Sequence, residues 1–172
     1  MSVTSRFHLK RVLREAEGYL ELGMARHALE AIGQVDRAQA EKSHQLLYLK
    51  GEALRSLEQY DQALAALKKA ADLAPSDIHV WLAMGWCYKR LGRLDLAIKA
   101  LQSAVSVEPD MAILHYNLAC YFSLAGDKQS MLEFLSQAFM LDRNYRDLVG
   151  DEADFDPFRN DADFQALTSV IV

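Results

Sequence analysis

The sequence predicts an all-α fold made of four copies of a helix-turn-helix unit, and three observations support this prediction. Hydrophobic residues make up 51% of the 172-residue chain, Leu and Ala dominate, and β-branched runs are almost absent before the last five positions. Equivalent residues recur 34 positions apart, namely Gly51 and Gly85, Ala63 and Ala97, and Pro75 and Pro109. Within each unit, apolar residues follow the three- and four-residue steps of one helix face.

The first two units are predicted at about residues 9–42 and 44–77. Unit one departs most from the repeat, because it lacks the proline and has Val12 where an aromatic residue is usual, and one extra residue is needed to align it. Its matching positions are Ala16, Tyr19, Gly23, Ala28, Ile32 and Val35. Unit two follows the pattern at Leu47, Gly51, Leu54, Ala63, Leu67, Ala70 and Pro75.

The third unit, at about residues 78–111, shows both predicted helices most clearly. One face of its first helix carries Trp81, Met84, Gly85, Tyr88 and Leu91. Gly92 then ends that helix, because glycine adopts positive φ at little cost. The second helix carries Leu94, Ala97, Ile98, Leu101, Ala104 and Val105, with Pro109 after its end. Small side chains at Gly85 and Ala97 would let the two helices approach closely.

The fourth unit, at about residues 112–145, keeps Leu118, Ala119, Phe122, Leu135 and Ala138 but has Met131 and Arg143 at two pattern positions. The repeat array is placed at residues 1–143 and an acidic tail at residues 144–172. In that tail, either Asn160 or Asp161 is expected to cap a short helix. Its apolar stripe, expected to cover the end of the array, is formed by Phe164, Leu167 and Val170.

These signature positions resemble those of the tetratricopeptide repeat over about residues 8–143. The run YNLACYFSLAGD with DEADFDPFRNDADFQAL also resembles the closing repeat and tail of many bacterial members. The resemblance implies a right-handed superhelical α-solenoid, with the first helix of each unit lining a concave groove. It also implies a non-enzymatic adaptor that binds a protein or peptide segment in that groove.

By the same resemblance, groove positions can be assigned in each unit. The first unit supplies Lys10, Leu13, Glu17, Leu20 and Glu21, and the second supplies Gln45, Tyr48, Glu52, Arg55 and Ser56. The third supplies His79, Leu82, Trp86, Lys89 and Arg90, and the fourth Ile113, Tyr116, Cys120, Ser123 and Leu124, with Asn117 at the border. Trp81 is then framework, whereas Trp86 faces a ligand; packing or self-association is the alternative for Trp86 and Tyr116.

The candidate binding residues are Tyr48, Glu52, Arg55, His79, Leu82, Trp86, Lys89, Arg90, Tyr116, Asn117 and Cys120. The lysine and asparagine clamp by which co-chaperones of this family hold acidic chaperone tails is missing from the matching positions. We therefore expect a peptide with apolar anchors and some acidic character. The alternatives are a self-assembling scaffold and a specialised chaperone for an aggregation-prone client.

Charge and hydropathy bear on the class of ligand and on the cellular location. Residues 147–163 hold seven acidic side chains and one arginine, whereas the rest of the chain is nearly neutral. Such a distribution argues against nucleic acid as a ligand. No stretch reaches the ~18 apolar residues of a membrane span, and no signal sequence is evident at the N-terminus. With two cysteines and no disulfide framework, a cytoplasmic location is expected.

The sequence contains no motif for catalysis, a cofactor or a metal. Cys120 and His79 form a conceivable thiol–imidazole pair, but a buried structural cysteine is the simpler interpretation. Asp154 and Asp156 alternate as calcium ligands do, yet Pro157 follows and no closing glutamate occurs. The tail is therefore interpreted as a cap over unit four; folding back into the groove near Lys89 and Arg90 is the alternative.

Overall fold

The computed structural model describes residues 3–169, with side chains from residue 7 onward. All regular secondary structure in this range is helical, which confirms the predicted all-α class. The helices are α1 (Val3–Glu21), α2 (Ala25–Ile32), α3 (Arg37–Ala40), α4 (His44–Ser56), α5 (Tyr60–Leu73), α6 (Ile78–Arg90), α7 (Leu94–Val107), α8 (Ala112–Leu124), α9 (Lys128–Leu141), α10 (Tyr145–Leu148), one 3₁₀ helix (Ala153–Phe158) and α11 (Ala162–Thr168). Within residues 3–169, no helix is both long and apolar enough to span a bilayer.

The chain forms two compact bodies, Met1–Leu91 and Gly92–Val172. In the first, α1, α2 and α4 share an apolar core that includes Val12, Ala16, Ala28 and Leu46. Helix α5 packs on α4 at Gly51, where a Cβ atom would lie 2.6 Å from Leu67 Cδ2. A side chain cannot fit there without displacing the buried leucine, so the small residue of the repeat permits this close helix packing.

The turn after each first helix uses one left-handed residue. Gly23, Gly92 and Gly126 have φ values of +71°, +70° and +76°. The prediction that Gly92 ends its helix through such a conformation is thereby confirmed. The equivalent position of unit two is Glu58, with φ +59°, so this unit places a β-carbon in a region that favours glycine.

The second body is built around the α8–α9 hairpin, with Leu114, Leu118 and Leu135 fully buried. The C-terminal segment packs back onto this hairpin: the 3₁₀ helix contacts α8, and α11 contacts α9. Of the two predicted caps for α11, Asp161 is the one used, since its carboxylate accepts from the backbone N–H groups of Asp163 and Phe164.

The predicted stripe of α11 is partly described. Phe164 is buried and Leu167 is half-buried, whereas Val170 lies outside the described residues. Lys128, at the start of α9, holds the beginning of α11 through ion pairs of 2.6 Å to Asp161 and 2.7 Å to Asp163. The segment that follows the repeats is thus fixed to unit four by both apolar and ionic contacts.

Candidate peptide-binding surfaces

In the first body, α1 and α4 form a depression of about 270 Å³. It is lined by Glu17, Leu20, Glu21, Tyr48, Leu49, Glu52, Arg55 and Ser56. All of these except Leu49 are groove positions assigned from the repeat register. The structure therefore brings seven of the ten residues assigned in units one and two around one concave surface, which we call the α1–α4 cleft, whereas Lys10, Leu13 and Gln45 do not line it.

Arg55 is already paired within the α1–α4 cleft. Its Nε and Nη2 atoms donate to the two Glu52 carboxylate oxygens at 2.9 and 2.7 Å, in a bidentate arrangement. This hydrogen bonding raises the pKa of Arg55, and its side chain is half-buried. The cleft as a whole holds three carboxylates and one guanidinium. The ionisable side chains that line the cleft therefore carry a net negative charge at neutral pH.

Trp86 stands beside the cleft and is half-buried. The Arg55 guanidinium lies 4.9 Å from the centre of its ring and that of Arg90 lies 5.6 Å away. Tyr60 approaches the same indole edge-on, with ring centroids 5.5 Å apart, and its hydroxyl is 3.3 Å from Arg90 Nε. Cation–π contacts with two arginines hold the indole in a fixed orientation.

Tyr60 is not one of the groove positions that the repeat register predicts, because it is the first residue of α5 and the register assigns the groove to the first helix of each unit. The sequence feature that indicates its proximity to Arg55 is its position just after the turn between α4 and α5. Trp81, by contrast, is half-buried and its Nε1 atom donates to the Pro75 carbonyl at 2.8 Å, consistent with the framework role expected for it.

The other candidates in the first body differ in exposure. His79 and Arg90 are exposed, while Leu82 and Lys89 are half-buried. Tyr48 is half-buried in the wall of the α1–α4 cleft, and burial raises the pKa of its hydroxyl to about 12. Tyr48 therefore stays neutral at physiological pH and can donate a hydrogen bond to a ligand.

In the second body, two candidates are not accessible. Tyr116 is 5% exposed and Cys120 is 2% exposed, so the expectation that they line an open groove is wrong for this structure. The Tyr116 ring packs against Phe155 and Tyr145, with centroid distances of 5.7 and 5.0 Å. The chain's own C-terminal segment thus occupies the face of α8 that the register assigned to a ligand. Asn117, also a candidate, is half-buried.

The covering segment owes its shape to Arg159, which the sequence did not single out. This guanidinium donates to the carbonyls of Val149 at 3.2 Å and Glu152 at 2.8 Å, and it also pairs with Asp156. These bonds close residues 149–159 into a compact turn. Phe155 projects from that turn and is fully buried. Apolar burial of a phenylalanine explains why the tail covers α8.

Helical hairpins repeated along the described residues define an α-helical repeat protein. Two tetratricopeptide repeat family models match residues 13–78 and 54–119, together more than half of the chain. The chain belongs to the tetratricopeptide repeat family, whose members are in general protein-interaction modules. This confirms the resemblance stated from the sequence.

Solved structures of similar fold include other tetratricopeptide repeat proteins. MamA from Desulfovibrio magneticus superposes with a TM-score of 0.74 and 21% identity over 97% of this chain and 90% of that one. YrrB, described as having an unusual peptide-binding site, superposes with a TM-score of 0.71 and 24% identity, covering 79% of this chain and 70% of that one. TTC0263 from Thermus thermophilus superposes with a TM-score of 0.67 and 24% identity, covering 81% of this chain and 77% of that one. These likenesses establish the fold.

One curated relative matches a short part of the chain. Anaphase-promoting complex subunit 3 from Dictyostelium discoideum is 33% identical over 52 residues. The match covers 30% of this chain and 5% of that protein. It therefore adds to the evidence for the repeat and carries no further conclusion about activity.

Proposed function

We propose that the protein is a non-catalytic interaction module that binds a peptide segment of a partner protein in the α1–α4 cleft and against Trp86. The observation that carries this proposal is the continuity of the site through Arg55. That residue lines the cleft on one side and stacks on the Trp86 indole on the other. One peptide could therefore contact both features in a single pose.

The chemistry of the surface suits binding of a side-chain anchor. Trp, Tyr and Arg are the residue types that contribute most to interface hot spots. Here Trp86, Tyr60, Arg55 and Arg90 are held together by ring and cation–π contacts of 4.9 to 5.8 Å. Because these side chains are already ordered, binding a ligand would cost little further side-chain entropy of the protein.

The charges define the second element of the ligand. Glu17 and Glu21 are exposed on α1 and face the cleft, whereas Arg55 is neutralised by Glu52. A lysine or arginine flanking an apolar anchor would meet the glutamates, so we propose a peptide with an aromatic or aliphatic anchor next to a basic residue. YrrB, a neighbour of the same fold, is described as peptide-binding, which agrees with this use of the scaffold.

The test is selection of a randomised peptide library on the full chain, followed by affinity measurement on an enriched peptide. The proposal predicts enriched sequences that pair an apolar anchor with Lys or Arg. Trp86→Ala should weaken binding by about 10- to 100-fold, as expected for a hot-spot residue. Glu21→Gln should weaken it less, and the loss should disappear at high salt, as for an exposed charge.

Leu73→Ala is the matched control, because Leu73 is an exposed apolar residue of the first body that does not line the cleft. Circular dichroism would confirm that each variant is folded. Equal affinity for wild type and Trp86→Ala would refute the proposed site. A library that enriches acidic peptides instead would refute the proposed ligand chemistry.

A further inference from the structure

A second cluster of chemically reactive groups lies in the other body, where the C-terminal segment meets α8. The Cys120 sulfur and the carboxylate oxygens of Glu152 and Asp154 all lie within 4.8 Å of one another. Cys120 belongs to α8, whereas Glu152 and Asp154 belong to the turn closed by Arg159. Folding therefore gathers one thiol and two carboxylates from two separate segments.

A buried polar group at the same place lacks a partner. The Tyr116 hydroxyl is inaccessible to solvent and has no hydrogen-bond partner among the described residues. Tyr116 precedes Cys120 by one helical turn, so both lie on the same face of α8. Its ring packs on Phe155, the residue next to Asp154, and its hydroxyl lies within electrostatic range of Cys120, Glu152 and Asp154.

Leaving the buried Tyr116 hydroxyl unsatisfied costs free energy. A divalent cation could be coordinated by the thiolate and the two carboxylates, and a water molecule bound to that cation could satisfy the hydroxyl. Calcium and magnesium take oxygen ligands, whereas zinc accepts thiolate and carboxylate together. We propose that Cys120, Glu152 and Asp154 form a binding site for a zinc-class divalent ion that joins the C-terminal segment to α8.

The donor geometry is close to what such an ion requires. Zinc–sulfur and zinc–oxygen bonds of about 2.3 and 2.1 Å place tetrahedral ligands roughly 3.4–3.6 Å apart. Donor atoms within 4.8 Å therefore reach that geometry through side-chain shifts of about 1 Å. Glu152 uses Oε1 to accept from the Asp154 N–H at 3.1 Å, which leaves its other oxygen for the metal.

The surrounding bonds prepare the site. Arg159 Nη2 donates to the Glu152 carbonyl, which fixes the backbone of one ligand. The Cys120 thiol proton would pass to solvent when the ion binds, so affinity should rise with pH. Three protein ligands leave a fourth position for water near the Tyr116 hydroxyl. With the ion bound, the C-terminal segment would be attached to α8 by coordinate bonds in addition to the packing of Phe155.

The experiment is a calorimetric titration of Zn²⁺ into the full chain after removal of metals with a chelator. We expect one ion per chain, and loss of this binding in Cys120→Ser. Glu152→Gln should weaken it by at least the roughly 10- to 100-fold that loss of an outer-shell partner costs, while keeping the cap to Asp154 N–H. Titration with Co²⁺ should give a thiolate-to-cobalt absorption band in wild type and in Cys87→Ser, but none in Cys120→Ser.

Two controls separate this site from other metal-binding groups. Cys87 is the other buried thiol and lies in the first body, and Asp151 is an exposed carboxylate of the same C-terminal turn. Cys87→Ser and Asp151→Asn should bind Zn²⁺ like wild type. Equal stoichiometry and affinity in wild type and Cys120→Ser, or a Co²⁺ complex without the thiolate band, would overturn the proposal. The Glu152→Gln result decides the matter if Cys120→Ser does not fold.

Discussion

Phe155→Ala is predicted to release the C-terminal segment from α8 without unfolding the repeats. Phe155 is 0% exposed, and its ring lies 5.7 Å from that of Tyr116 and 5.6 Å from that of Phe164. Truncating a buried phenylalanine costs about 3–5 kcal/mol, from lost apolar burial and the cavity that remains. Because the segment forms a local unit on the α8–α9 hairpin, we expect this loss to lower the free energy of local opening.

The assay uses Cys120, which this segment covers, as a reporter of opening. In native protein treated with chelator, a thiol reagent labels Cys120 only when the segment opens, so the rate follows the population of the open state. A loss of about 3–5 kcal/mol corresponds to roughly 10²- to 10^3.6-fold faster labelling, up to the rate of the unfolded thiol. Peptide mass spectrometry would distinguish Cys120 from Cys87.

Two comparisons make the result decisive. Leu148→Ala removes an exposed leucine of the same body and should change the labelling rate by about twofold or less. Cys87 is fully buried in the first body, and burial raises its pKa to about 11, so its labelling should stay slow. Unchanged labelling of Cys120 in folded Phe155→Ala would refute the reasoning. Equal acceleration of both cysteines would show that Phe155 supports the whole fold.

Two further predictions concern stability. Glu58→Gly should stabilise the protein by about 0.5–1 kcal/mol. Glycine would relieve the backbone strain of roughly 1–2 kcal/mol that a residue with a β-carbon has at φ +59°, and this gain exceeds the cost of glycine's larger conformational entropy in the unfolded state. Urea denaturation would measure the change in the free energy of unfolding, and destabilisation would contradict the prediction. The hydrogen bond from Lys128 lowers the pKa of Asp161. The contribution of this ion pair to the free energy of unfolding is therefore fully present above the ordinary carboxyl pKa of about 3.9, and it is lost as the pH falls through the lower pKa of the folded state. The Tm difference between wild type and Lys128→Met should therefore be clear at pH 7 and narrow below about pH 4; a difference independent of pH would exclude the ion pair as its cause.

The repeat was predictable because it is encoded locally. Small residues at positions such as Gly51 and turn glycines such as Gly92 recur at a fixed spacing. Each is required by its local geometry, close helix packing at Gly51 and a positive φ at Gly92. The repeat register also assigns seven of the eight residues that line the α1–α4 cleft.

What the register could not predict is which group covers each face. The register assigns Tyr116 to a ligand, with packing or self-association as the alternative, and in the structure Tyr116 packs against Phe155, which lies far away in sequence. Periodicity carries no information about such long-range pairing. The sequence suggests separate roles for Cys120 and Asp154 and does not group them with Glu152, because metal motifs are recognised by short spacings and these residues come from separate segments. The contacts of Arg159 with the Val149 and Glu152 carbonyls give no sequence signal, because every residue carries a backbone carbonyl.

The two bodies offer a comparison that bears on the ligand. Tyr48 and Tyr116 are separated by two repeat lengths, so they occupy equivalent positions on α4 and α8. Beside Tyr116 the chain inserts Phe155, whereas beside Tyr48 there is a depression of about 270 Å³. The contact of Phe155 with α8 is therefore an internal example of how this helix face accepts an aromatic side chain. The flanking groups differ, since Phe155 is flanked by aspartates while Glu17 and Glu21 border the α1–α4 cleft. An aromatic anchor with a basic neighbour would thus reproduce the packing of the tail with the charge that the first body requires.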